Sequence, residues 1–137
     1  MKRVTPIILG AAGSLVGLDI IGALAERPLG FPYSSLGAVS VLVYLSVGVL
    51  GSLRAGPGTG IVAATAVGLL DGTLGPLAAW MIGPGPVGQT LTEPRVFAYG
   101  AAVVTATAMA AGLVGAFAAV WVERRRAVRP GSRVITR

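Results

Sequence analysis

The chain has 137 residues, of which 54% are hydrophobic and 12% charged, with mean hydropathy +0.81 and a formal net charge of +6. A soluble domain carries roughly a quarter charged residues, so this composition excludes one and indicates a membrane protein with no room for a separate soluble domain. Cysteine and histidine are absent, which removes disulfides, thiolate nucleophiles, the usual zinc ligand sets, histidine-ligated haem and histidine proton shuttles.

Four apolar segments follow one another at about 4–25, 35–53, 59–82 and 97–122. Each is near the ~20 residues that cross a ~30 Å hydrocarbon core at 1.5 Å per residue. Helix is the expected conformation, because a lone strand leaves its backbone groups unpaired in lipid and none of the segments shows the two-residue alternation of a barrel. The connections ERPLGFPYS, RAGPGTG and GPGPVGQTLTEPR are rich in the proline and glycine that end helices and form turns. The fold class expected is an all-α membrane protein, a four-transmembrane-helix bundle at residues 1–122, followed by a basic tail at 123–137.

The first segment has a second reading. MKR, an apolar stretch and Ala23-Leu24-Ala25 before Glu26 have the parts of a secretory signal peptide. Asp19 within the apolar region, the length and glycine content of that region, and Arg27-Pro28 directly after it favour a retained span.

Basic residues set the orientation. Lys2, Arg3, Arg54, Arg124, Arg125, Arg126, Arg129, Arg133 and Arg137 fall on one side of a four-span arrangement, and Arg27 and Arg95 on the other. The positive-inside rule then places both termini in the cytoplasm. Phe31, Tyr33, Trp80, Phe97 and Tyr99 lie near the outer ends and Trp121 near the inner end, as an interfacial aromatic belt predicts. Arginine outnumbers lysine ten to one beside abundant Gly, Ala and Pro, a composition of GC-rich bacterial coding, so the expected location is a bacterial inner membrane.

Lipid gives helices no hydrophobic reason to associate, so packing must come from close approach at small residues and from interhelical hydrogen bonds. Gly13 and Gly17 on the first span, Gly68, Gly72 and Gly75 on the third, and Ala111 and Gly115 on the fourth are the candidate packing positions. Asp71, in VGLLDGTLG, projects from the small-residue stripe made by Ala64, Gly68, Gly75 and Ala78, and is therefore expected to face protein. Helix rise places Asp71, Tyr44, Thr105 and Thr107 at a common depth of about 12 to 17 Å, with Asp19 slightly shallower. VGLDIIGAL at 16–24 and VGLLDGTLGPL at 67–77 are weakly alike, consistent with two parallel hairpins related about the membrane normal.

An aspartate at a helix centre costs about 2.5 to 3.5 kcal/mol to insert, which makes it a functional-site candidate. No Lys, Arg or His lies within a span to balance it. One reading is a proton or cation site formed by Asp19 and Asp71 with the hydroxyls of Tyr44, Thr105 and Thr107. The other is a carboxyl that binds neighbouring helices together by a hydrogen bond worth about 0.6 to 2 kcal/mol.

In the tail, Arg124, Arg125, Arg126 and Arg129 are candidates for contact with anionic lipid, at about 1 kcal/mol per basic residue. The basic residues gather at span ends, which does not fit nucleic-acid binding. Gly56-Pro-Gly-Thr-Gly60 lacks the lysine and preceding strand of a phosphate loop and reads as a tight turn. The five acids are too dispersed in depth for a catalytic pair, so no enzyme, cofactor or metal is expected.

The run VGVLGSLRAGPGTG through IVAATAVGLLDGTLGP resembles a loose group of small bacterial four-span membrane proteins of unknown function, in which a glycine-rich helix end, a basic residue, a Gly-rich turn and another glycine-rich span occur in this order. The resemblance implies location and architecture, and no activity. The leading expectation is a non-enzymatic accessory or structural role in a membrane assembly, with the lipid bilayer, further copies of itself or other membrane proteins as partners. The alternative is a small proton- or cation-coupled transporter or channel component that uses the intramembrane aspartates.

Overall fold

The computed structural model describes residues 4–29, 36–82 and 93–127. Four helices account for nearly all of them: α1 (Thr5–Leu29), α2 (Leu36–Ala55), α3 (Pro57–Ile82) and α4 (Pro94–Ala127). Phe31, Tyr33, Arg129 and most of the connections 26–34 and 83–95 lie outside the described side chains, as do Lys2, Arg3, Arg133 and Arg137. Residues 23–25 are helical and part of α1.

Helix ends follow local chemistry. Gly56 alone separates α2 from α3, and its φ of 91° is a conformation that side chains with a Cβ resist. Its N–H donates to Ser52 O at 2.9 Å, closing α2, and its carbonyl accepts from Thr59 N at 3.0 Å and Gly60 N at 3.3 Å, opening α3. Pro57 and Pro94 occupy first-turn positions, where the missing N–H costs no helical bond. These prolines start α3 and α4 two and three residues before the hydropathy-based boundaries. Glu93 O and Val4 O accept the first amide bonds of α4 and α1.

The packing is inverted relative to a soluble protein. Small residues fill the interior, among them Ala63, Ala64, Ala108, Ala111, Ala116 and Ala119, while Leu42, Leu53, Leu69, Met81 and Phe117 face outward. Outside a bilayer, such a surface would be one large apolar patch; in lipid it meets a matching solvent. All four helices are long and apolar enough to cross a membrane, and the molecule is a polytopic helical membrane protein.

α2, α3 and α4 are drawn together at glycines. A Cβ on Gly48 would stand 2.9 Å from Gly112 Cα, and one on Gly51 2.9 Å from Gly60 Cα, so these backbones touch with no space for a side chain. Gly115 packs against Leu45 O and Val49 N of α2, Gly72 against Ala101 of α4, and Gly68 against the Ala108 side chain. Ala111 is buried in the same region. α2 and α4 run parallel and meet tightly at Gly48 and Gly112, with α3 antiparallel to both. α1 packs chiefly on α3. Gly13 and Gly17 have nothing within 4 Å of where a Cβ would stand, so this pair does not mark a helix contact among the described residues.

Candidate functional site

Asp71 lies midway along α3 and is 7% exposed; Tyr44, on α2, is 2% exposed. The Tyr44 hydroxyl donates a hydrogen bond to Asp71 Oδ2. Ser40, one turn before Tyr44 on α2, lines the same pocket as Tyr44 and Asp71. The Asp19 carboxyl, from α1, interacts with the Asp71 side chain. Glycine permits this last approach: a Cβ at Gly75 would collide with Asp19 Oδ2 and lie 3.7 Å from Asp71 Oδ1. Tyr44, Asp71 and Asp19 therefore meet across three helices, with Ser40 beside them. Asp71 Oδ1 is buried with no hydrogen bond of normal geometry.

Beside this cluster is a pocket of ≈ 310 Å³ lined by all four helices. It lies in the half of the bundle where α2 and α4 begin, away from the crossing at Gly48 and Gly112, and separates Ser40 and Val41 of α2 from Val103 and Thr107 of α4. Asp71 and Asp19 supply its charge, and no basic residue lines it. Gly72 and Pro76 form part of the wall. Pro76 has no N–H, so the Gly72 carbonyl lacks its helical donor there.

Of the residues expected from sequence, Asp19, Asp71 and Tyr44 come together, and Thr107 lines the same pocket. Thr105 does not line it. Both threonines donate to their own helix, Thr105 Oγ1 to Ala101 O at 2.7 Å and Thr107 Oγ1 to Val103 O at 2.9 Å, so neither hydroxyl proton reaches a carboxyl. This is the usual choice of an intramembrane hydroxyl, whose nearest acceptor is the carbonyl one turn back. Ser40 and the Gly72–Pro76 wall were not anticipated. The spacing of Ser40 and Tyr44 at i and i+4 was the available signal.

At the opposite end, Arg124, Arg125 and Arg126 close α4. The Arg125 guanidinium stacks over Trp121 at 3.5 Å from the ring centroid, an attractive arrangement that also holds a cation at the end of the apolar segment. Arg124 borders an apolar groove between Ile61 of α3 and Phe117 and Trp121 of α4.

A buried carboxyl with a phenol donor, beside a half-buried second carboxyl in a pocket that no basic residue lines, can hold a proton or bind a cation. Compared with known families, curated proteins and solved structures, the chain matches no family model, no curated protein and no solved structure.

Proposed function

We propose that the protein is a small proton- or cation-coupled transporter or channel component in which Asp71 and Asp19 form the ion site. The observation that carries this reading is the buried Tyr44–Asp71 hydrogen bond beside a second carboxyl and a pocket without a basic residue. A carboxyl kept only to hold helices together needs one partner. Asp71 has Tyr44 and, in addition, a second carboxyl, Asp19, brought against it, and two carboxyls side by side are costly unless they share a proton or bind a cation. This weighs against the purely accessory role.

In the same reading the protein sits in a bacterial inner membrane with both termini cytoplasmic, so the pocket occupies the outer half of the bilayer. Arg124, Arg125 and Arg126 rest on anionic lipid headgroups. No catalytic chemistry is assigned.

The test is thermal stability of the detergent-purified protein across pH and across alkali cations, for wild type, Asp71→Asn and Asp19→Asn. Asparagine keeps the shape and hydrogen-bonding capacity and removes titration. A wild-type response to pH or to one cation that Asp71→Asn abolishes supports the site. Identical behaviour of all three proteins would return Asp71 to a packing role.

A further inference from the structure

The pocket is larger than a proton or an alkali ion requires. Its ≈ 310 Å³ would take about ten waters at ~30 Å³ each, yet much of the lining is aliphatic, including Leu36, Val41, Pro76 and Val103. A space of this size with apolar walls and a few convergent polar groups has the proportions of a small-molecule site. Its polar end carries two interacting carboxyls, Asp71 and Asp19. An anion would be repelled there, and a neutral apolar molecule would leave the carboxyl pair without a balancing charge. The rim is open: Gly37, Val103 and Thr107 are exposed in the bundle, on helix faces that border lipid. A ligand dissolved in the membrane can reach the pocket from the side.

We infer that the pocket binds a small amphiphilic organic cation, a protonated alkylamine in chemical class, with its ammonium group on Asp71 and Asp19 and its apolar body between Val41 and Val103. This rests on the reading of the aspartates as an ion site and names the cation. The ammonium N–H groups donate to the half-buried Asp19 carboxyl at the pocket wall, within reach of the charge of Asp71, while Tyr44 continues to donate to Asp71 Oδ2. One positive charge then replaces the proton that the carboxyl pair would otherwise hold, so amine and proton compete for the same two carboxyls.

The experiment is calorimetric titration of the full chain in lipid nanodiscs with n-hexylammonium, n-hexanol, hexanoate and sodium as chloride or sodium salts at constant ionic strength. The proteins are wild type, Asp71→Asn and Gly37→Leu. Gly37 has nothing within 4 Å of a Cβ position and lines the pocket, so leucine there fills the space without touching a carboxyl. The expected result is saturable hexylammonium binding to wild type, at least tenfold tighter than hexanol, with no saturable binding of hexanoate. Asp71→Asn and Gly37→Leu should each weaken it tenfold or more, and Gly37→Leu should keep the wild-type thermal response to pH and alkali cations. Hexylammonium binding unchanged in Gly37→Leu, or no better than hexanol in wild type, would overturn the assignment while leaving the ion site intact. Loss of the pH and cation responses as a difference between wild type and Asp71→Asn would remove both readings together.

Discussion

Tyr44 and Asp71, 27 residues apart in sequence, are joined by a hydrogen bond buried between α2 and α3. It commits Tyr44, buried within α2, to a polar task.

Tyr44→Phe removes the donor and leaves the ring volume in place. Asp71 then loses its phenol partner in a buried site, and the expected destabilisation is about 1 to 2 kcal/mol, within the range for orphaning a buried polar group. A cycle with Asp71→Asn, measured by reversible unfolding in mixed micelles, should show a coupling of about 0.5 kcal/mol or more. Strictly additive effects would mean that the two side chains do not act as a pair.

Gly48→Ala places a methyl group 2.9 Å from Gly112 Cα, and backbone cannot turn aside as a side chain can. A loss of about 1 to 3 kcal/mol is expected from overpacking. Gly13→Ala is the matched control: it meets open space and should be neutral, or gain up to about 1 kcal/mol from helix propensity. Equal effects of the two substitutions on thermal stability would contradict the described helix contacts.

Gly56→Ala tests the one-residue connection. At φ 91° an alanine carries about 1 to 2 kcal/mol of backbone strain, so the variant should unfold earlier, and the α2–α3 end should become more susceptible to limited proteolysis. An unchanged cleavage pattern with unchanged stability would show that the turn adapts freely.

Replacing Arg124, Arg125 and Arg126 by glutamine removes three cations from the end of α4. At about 1 kcal/mol per basic residue near an anionic surface, the substituted protein should lose its preference for phosphatidylglycerol over phosphatidylcholine in lipid-exchange measurements. Fusion of a reporter active only in the cytoplasm to the C-terminus should give signal in wild type, and signal from a periplasm-active reporter instead would reverse the orientation.

Much of the architecture was legible from sequence because a span must satisfy its own backbone. In hydrocarbon each N–H and C=O needs a partner within the same segment, so length and hydropathy alone define α1 to α4, and prolines such as Pro57 and Pro94 adjust the ends by a few residues. The small-residue stripe around Asp71 likewise pointed it toward protein, where it lies. What hydropathy does not encode is which helix stands against which, since every face of these helices is apolar enough for lipid. Identical spacings of small residues therefore had different fates. A Cβ on Gly68 or Gly72 would run into α4, while one on Gly13 or Gly17 would meet nothing within 4 Å among the described residues. Thr105 and Thr107 shared one expected depth, yet only Thr107 reaches the pocket. Composition determined that the protein spans the membrane four times as helices and carries an uncompensated carboxylate in α3; only the tertiary structure, through backbone contacts at glycine and the 27-residue pairing of Tyr44 with Asp71, decided that this carboxylate opens onto a pocket.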